Sequence, residues 1–253
     1  MILQNNTYLG LSFKQLLLIA SSLSISSVSN AALFDCISEP GYCIGEGDTV
    51  IFKYTGTTSS IGLFGTVEVI GDSIVSFPTN FRAESLGGGA DSVNDNGAVQ
   101  VIAKSGYQIN GVNVLERGDY LMTGVGATVD VDGWSDVWDW NDVFFGPSVQ
   151  QNLAITGDLT IIDSNTHTWT GSTGFDLTGS AWDGINHIGL SLQNNLYAAT
   201  SAEGEVAWIE KKLTGGGIDL SIDTTPVVPV PAAVWLFGSG LIGLIGVARR
   251  KKA

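Results

Sequence analysis

The sequence predicts an all-β fold, an antiparallel β-sandwich of jelly-roll-like character, and three observations carry that expectation. Between residues 49 and 222, short apolar or alternating runs recur roughly every ten residues, with Gly, Asn and Asp between them. Val, Ile and Thr are abundant in those runs, and β-branched side chains fit a pleated, half-buried surface. No window there keeps a 3.6-residue apolar period, so amphipathic helices are not expected. No fixed-period repeat emerges either, which argues against a solenoid or propeller.

Taken in order, the expected strands are residues 50–54 (Val-Ile-Phe-Lys-Tyr), 65–70, 99–103, 127–131 and 159–162. Residues 187–192, 205–211 and 218–222 continue the series. Asn94, Asp95, Asn96 and Gly97 form a hairpin signal, because Asn-Gly supplies the positive φ angles of a type I′ turn. The run Leu-Gly-Gly-Gly-Ala-Asp-Ser at 86–92 reads as a flexible joint or a long hairpin loop, and the three glycines at 215–217 as a turn before the last strand. Cys36 and Cys43, with a Pro-Gly turn between them, read as one disulfide in an exported chain.

Both ends carry targeting features. Lys14 is the lone charged side chain of the first 34 residues, and Leu-Leu-Leu-Ile-Ala at 16–20 opens an apolar core behind it. Small residues at Ser29 and Ala31 suit signal-peptidase cleavage after Ala31 or Ala32, so residues 1–31 are expected to be a signal peptide. At the other end, Val228, Pro229, Val230 and Pro231 precede an uncharged stretch, residues 232–248, and then Arg249, Arg250, Lys251 and Lys252. As a helix that stretch reaches about 26 Å, close to a hydrocarbon core of about 30 Å. The four cations should stay cytoplasmic, which puts residues 32–225 outside. Two prolines keep the backbone before the span extended and open to a protease.

Motif, span and basic end in this order resemble the PEP-CTERM sorting signal, in the variant whose motif usually reads Val-Pro-Leu-Pro-Ala. The resemblance covers residues 226–253 and implies recognition by an exosortase, a membrane-embedded cysteine protease or transpeptidase of Gram-negative bacteria. It further implies transient residence in the inner membrane, removal of the tail, and delivery to the cell surface or an exopolysaccharide biofilm matrix. The typical family motif is Pro-Glu-Pro, whereas Val230 stands between the two prolines here.

Composition narrows the function classes. All 25 acidic residues lie between Ala32 and Pro231, against six cations there, a formal charge of −19. Such a body repels nucleic acid and anionic lipid and attracts divalent cations. Five aspartates and three tryptophans crowd into residues 130–142. Asp130, Asp132 and Asp136 could offer oxygen ligands to Ca2+, although the order of an EF-hand loop is absent. Trp134, Trp138 and Trp140 could form a sugar platform, an indole stacking on a pyranose while carboxylates take its hydroxyls. Alternatively, Trp138 and Trp140 fill one face of a strand while the aspartates stay solvated.

Catalytic motifs are missing. His167 and His187 have no metal-ligand spacing, and the chain contains no Gly-x-Ser-x-Gly elbow, His-Glu-x-x-His pair or phosphate-binding Gly loop outside the apolar tail. The expectation is a non-catalytic surface or matrix protein without a resident cofactor. A carbohydrate-binding or Ca2+-dependent adhesin is the second reading. An exported glycan hydrolase is the third, since two suitably spaced carboxylates can always be drawn from 25 acids.

Overall fold

A computed structural model describes residues 31–211 and 216–227. Residues 1–30 of the expected leader over 1–31, the sorting motif, the apolar span and the basic end therefore lie outside the described residues. Among the described residues, no helix is long and apolar enough to cross a membrane.

The described residues form fifteen strands in two antiparallel sheets. In order they are β1 (Ala32–Leu33), β2 (Tyr42–Glu46), β3 (Val50–Thr55), β4 (Thr66–Ile70), β5 (Ser73–Phe77), β6 (Arg82–Leu86), β7 (Gly89–Ala103) and β8 (Tyr107–Thr123). There follow β9 (Thr128–Asp139), β10 (Ser148–Asn152), β11 (Ala154–Thr156), β12 (His167–Asp176), β13 (His187–Thr200), β14 (Val206–Lys211) and β15 (Ile218–Pro226). One sheet has six strands in the order β10-β9-β13-β7-β3-β2. The other has nine, β1-β4-β5-β15-β8-β12-β11, with β14 pairing both β6 and β8.

Alternation along much of the strands makes the core, with continuous burial over Ile188–Leu192 of β13. In β3, Val50, Phe52 and Tyr54 point inward, and in β8 Val112, Val114, Tyr120 and Met122 do the same. Leu190, Leu192, Leu196 and Ala198 of β13 meet them from the six-stranded sheet. Polar groups also enter this interior. Lys211 Nζ lies 2.5 Å from Glu116 Oε2 with both side chains fully buried, and Asn194 Nδ2 donates to the same oxygen at 3.1 Å. Burial pushes the Lys211 ammonium below its ordinary range, and the Glu116 carboxylate opposes that.

Most expected strands are present, several of them longer than their apolar runs: 99–103 is the end of β7, and 187–192 the start of β13. Two expectations are corrected. Asn94 to Gly97 make no hairpin; they lie inside β7, where Gly97 pairs with Leu192 and Asn94 with Asn195. A fourteen-residue ladder with β13 outweighs the local turn preference. Gly97 is there for clearance instead: a Cβ would come within 3.1 Å of Ile61 and 3.2 Å of Phe64.

Residues 159–162 form no strand. Asp158 Oδ1 accepts Thr160 N at 3.0 Å and Asp163 Oδ1 accepts Asn165 N at 3.0 Å, side-chain turns that compete with a ladder. The glycines at 87–89 are a tight corner carrying the chain from one sheet to the other, all three at positive φ. Thr200 Oγ1 accepts the Gly88 N–H at 2.8 Å to fix it. Near the start, Cys36 and Cys43 are joined, and Asp35 and Ile44 exchange two backbone hydrogen bonds of 2.8 Å beside the bridge.

Candidate functional site: the outer face of the six-stranded sheet

The crowded segment at 130–142 folds mostly as β9, and the two-residue period divides it cleanly. Val129, Val131, Ser135 and Val137 face the core and are buried. Asp130, Asp132, Trp134, Asp136 and Trp138 therefore share the opposite face, turned away from the core. The expected strand with tryptophans on one side is present, but the aspartates stand on the same side as the indoles.

Registration with the neighbours furnishes the rest of this face. Across β13, Trp134 opposes Gln193, Asp136 opposes Ser191, Trp138 opposes Gly189, Asp132 opposes Asn195 and Asp130 opposes Tyr197. Across β10, Trp134 opposes Asn152, Asp136 opposes Gln150 and Trp138 opposes Ser148. The result is a field of amides and hydroxyls crossed by a line of indoles, with Trp134 and Trp138 about 14 Å apart along the strand.

Glycine decides how one indole lies. A Cβ on Gly189 would come within 2.1 Å of Trp138 Cε2, so this ring can lie flat across the sheet because its neighbour has no side chain. Trp140, just past the end of β9, continues the aromatic cluster. Its centroid is 6.1 Å from that of Trp138 at 34°, and it stacks on His187 at 5.7 Å and 25°. Gln100 Oε1 lies 3.1 Å from His187 Nε2. Trp140 remains 38 % exposed. Next to it a cleft of about 320 Å³ opens between β7 and the 60–62 segment, lined by Lys53, Asn96, Gln100 and Trp140 among others. The ladder between β3 and β7 stops at Lys53 and Gln100, which leaves the β7 edge at Ala98 facing this cleft.

Burial shifts two titrating groups on this face. It raises the Asp136 carboxyl, which stands between Trp134 and Trp138 along the strand. His187 is pushed below its ordinary value, first by burial and then by Lys53, against an opposing pull from Asp139. A neutral imidazole beneath an indole is a packing surface and a hydrogen-bonding group at neutral pH.

The three aspartates put forward for Ca2+ do not converge: they are spaced along one strand, and Asp130 Oδ1 already accepts the Val131 N–H at 2.9 Å. Among the described residues, no group of three or more His, Cys, Asp or Glu side chains is gathered as a metal would require. His167 lies far along the chain in the other sheet, its Nε2 2.7 Å from Asp163 Oδ1, and the Asp163 carboxyl is lowered to about 2 chiefly by that hydrogen bond. Sequence reasoning missed Gln150, Asn152, Gln193, Asn195 and Gly189. Their one signal was Gln and Asn at alternate positions, which becomes meaningful once the strands are in register.

Fold and face together define a two-sheet antiparallel sandwich with an aromatic and amide-rich outer surface. No family model matches this chain, and no curated protein matches it. Among solved structures, the chain is compared with the "Structure of infectious bursal disease virus Gx strain" at 11 % identity and a TM-score of 0.18, covering 78 % of this chain and 60 % of that one. The corresponding Gt-strain structure gives 14 % identity and a TM-score of 0.13, covering 76 % and 56 %. Scores this low establish no structural equivalence.

Proposed function

We propose that this chain is a non-catalytic exported protein of the cell surface or extracellular matrix, and that the outer face of its six-stranded sheet holds a carbohydrate chain. The observation that carries the carbohydrate part is Trp138 laid over Gly189 amid Ser148, Gln150, Asp136, Ser191 and Gln193. An indole lying along a sheet offers an apolar plane to the C–H face of a sugar ring, while amides and carboxylates at its margin exchange hydrogen bonds with hydroxyls. Asp130, Asp132 and Asp136, on a body of formal charge −19, disfavour polyuronates and sulfated glycans and favour neutral or amino-bearing ones.

Delivery is proposed from the ends of the sequence. The leader, Val228 to Pro231, the apolar stretch and the four terminal cations support export followed by exosortase-type removal of the tail. Signal peptidase and exosortase are then the processing partners, with exopolysaccharide as the ligand source.

The test of the ligand is binding of neutral, amino-bearing and uronate polysaccharides to the purified protein, read by tryptophan fluorescence and repeated after a chelator wash. Binding of the neutral or amino glycans that weakens in both Trp134→Ala and Trp138→Ala supports the proposal. Equal binding by both variants removes it, and binding lost on chelation moves the ligand to a Ca2+-dependent site. Intact mass of the protein recovered from envelope and medium tests delivery separately. A form beginning near Ala32 and ending near Pro231 supports tail removal, and one keeping Arg249 to Lys252 opposes it.

A further inference from the structure

The outer strand β10 ends the six-stranded sheet with an edge that no other described strand covers. Its hydrogen-bond parity is fixed by two bonds to β9: Asp139 N donates to Pro147 O at 3.0 Å, and Leu153 N donates to Gly133 O at 2.9 Å. The odd-numbered residues of the segment thus bond inward. The N–H and C=O groups of Ser148, Gln150 and Asn152 point away from β9.

Unpaired edges invite another strand, and proteins usually blunt them with charge, proline, bulges or cover. Other edges of this sandwich are blunted. β2 is flanked by the Asp35–Ile44 bridge and the disulfide, and on β6 the Glu84 N–H is taken by Asp91 Oδ2 at 3.0 Å. β1 and β11 have two and three residues. By contrast β10 reads Ser-Val-Gln-Gln-Asn, five residues without charge or proline in a strongly acidic chain. A neutral strip is where a second copy of this acidic chain can approach with least repulsion.

The two ends of β10 carry complementary features. Before it, the 141–147 turn presents Phe144 at 89 % and Phe145 at 92 % exposure. That turn is braced, because Asp142 Oδ1 accepts the Phe145 N–H at 3.1 Å and Asp142 O accepts the Gly146 N–H at 2.8 Å. After it, a cleft of about 300 Å³ is lined by Val131, Asp132, Trp134, Asn152, Leu153 and Ile155. Antiparallel pairing of two copies about a two-fold axis at Gln150 sets Ser148 opposite Asn152 of the second copy. Each copy's Phe144–Phe145 turn, just before Ser148, then lies beside the second copy's cleft, just after Asn152. Two Phe-bearing turns then meet two partly apolar clefts, where Val131, Trp134, Leu153 and Ile155 stand beside Asp132 and Asn152, each copy giving and receiving, as an isologous interface requires.

We propose that β10 is a homotypic docking edge. Two copies join through about six backbone hydrogen bonds and reciprocal insertion of the Phe144–Phe145 turn, making one twelve-stranded sheet. The two indole-bearing faces become continuous across the seam, with the β9 strands about 14 Å apart. None of this depends on the ligand of that face.

A cysteine at the axis tests the register in the full-length chain. Residues in a hydrogen-bonded antiparallel pair have Cα atoms about 5.5 Å apart, within disulfide reach. Gln150→Cys, exported to an oxidising compartment, is expected to give a disulfide-linked dimer on a non-reducing gel. Ser105→Cys, exposed in the turn between β7 and β8, is expected to remain monomeric. Gln150→Pro removes an outward N–H that β9 does not use, so the fold is retained while the dimer captured by chemical cross-linking is lost. The double variant Phe144→Asp/Phe145→Asp is expected to shift the same chain towards monomer. Gln150→Cys cross-linking no better than Ser105→Cys, or a dimer persisting in well-folded Gln150→Pro, overturns the proposal.

Discussion

Replacing Glu116 by Gln keeps the shape of the interior and removes one charge from an ion pair whose two side chains are fully buried. Lys211 Nζ stands 2.5 Å from Glu116 Oε2, with Phe81 and Trp169 rings 5.3 and 5.2 Å away and no exposure of either ionic side chain. Glu116 Oε1, Asn194 Oδ1 and Trp169 Nε1 find no protein hydrogen-bond partner around the pair, so after the substitution Lys211 is left with neutral amide oxygens and no negative charge beside it. Breaking a buried pair from one side costs about 3–5 kcal/mol, because the remaining ion is left uncompensated. For a domain of this size that is a fall in Tm of about 6–20 °C. The double variant Glu116→Leu/Lys211→Met should recover most of the loss, since an apolar replacement of both partners is close to neutral.

The sign of the pH dependence gives an independent check. A lysine with a lowered folded pKa leaves the unfolded chain binding more protons just below 10.5, so stability rises with pH across that window. Removing Glu116 deepens the lowering, and the Glu116→Gln deficit should shrink as pH rises towards 10.5. Urea unfolding followed by tryptophan fluorescence, at neutral pH and at about pH 10, measures both effects. A native-like Glu116→Gln within about 1 kcal/mol of the parent, with no steeper alkaline dependence, would refute the reasoning and mean that water reaches this pair.

Three further outcomes are expected. Gly189→Ala forces Trp138 to lift from the sheet, since a Cβ would stand 2.1 Å from its ring; it should cost about 1–3 kcal/mol, shift tryptophan emission, and weaken glycan binding if the face is the ligand site. Cys36→Ser/Cys43→Ser opens a loop with a sequence separation of seven and should lower stability by about 2.5 kcal/mol, read as a lower urea midpoint with the far-UV spectrum kept. His187 has a lowered pKa, so stability should fall as pH drops from 6.5 through the folded value, and Trp140 fluorescence should follow because the two rings stack; a flat profile in both signals counts against a buried, neutral imidazole.

The strand character of 50–54, 65–70 and 218–222 was legible because alternation and β-branching are local properties that survive in the fold. Asn94 to Gly97 misled for a physical reason: a turn preference is worth little against fourteen ladder pairs with β13. Residues 159–162 misled in the other direction, since Asp158 and Asp163 draw nearby backbone N–H groups into local turns that apolar content alone does not reveal. The site was half legible. Trp134, Trp138 and the aspartates stood out by density, but their orientation depends on which parity of β9 the core claims.

Sequence by itself determined the all-β class, the acidic body, the pairing of Cys36 with Cys43, and the expectation of export. Those follow from composition, periodicity and short-range spacing. Tertiary structure alone decided that Gly189 lies beneath Trp138, that Gln150 and Gln193 flank the indoles, and that Glu116 reaches Lys211 ninety-five residues away in the interior. Such contacts are set by strand order and register, which are global properties of the folded chain.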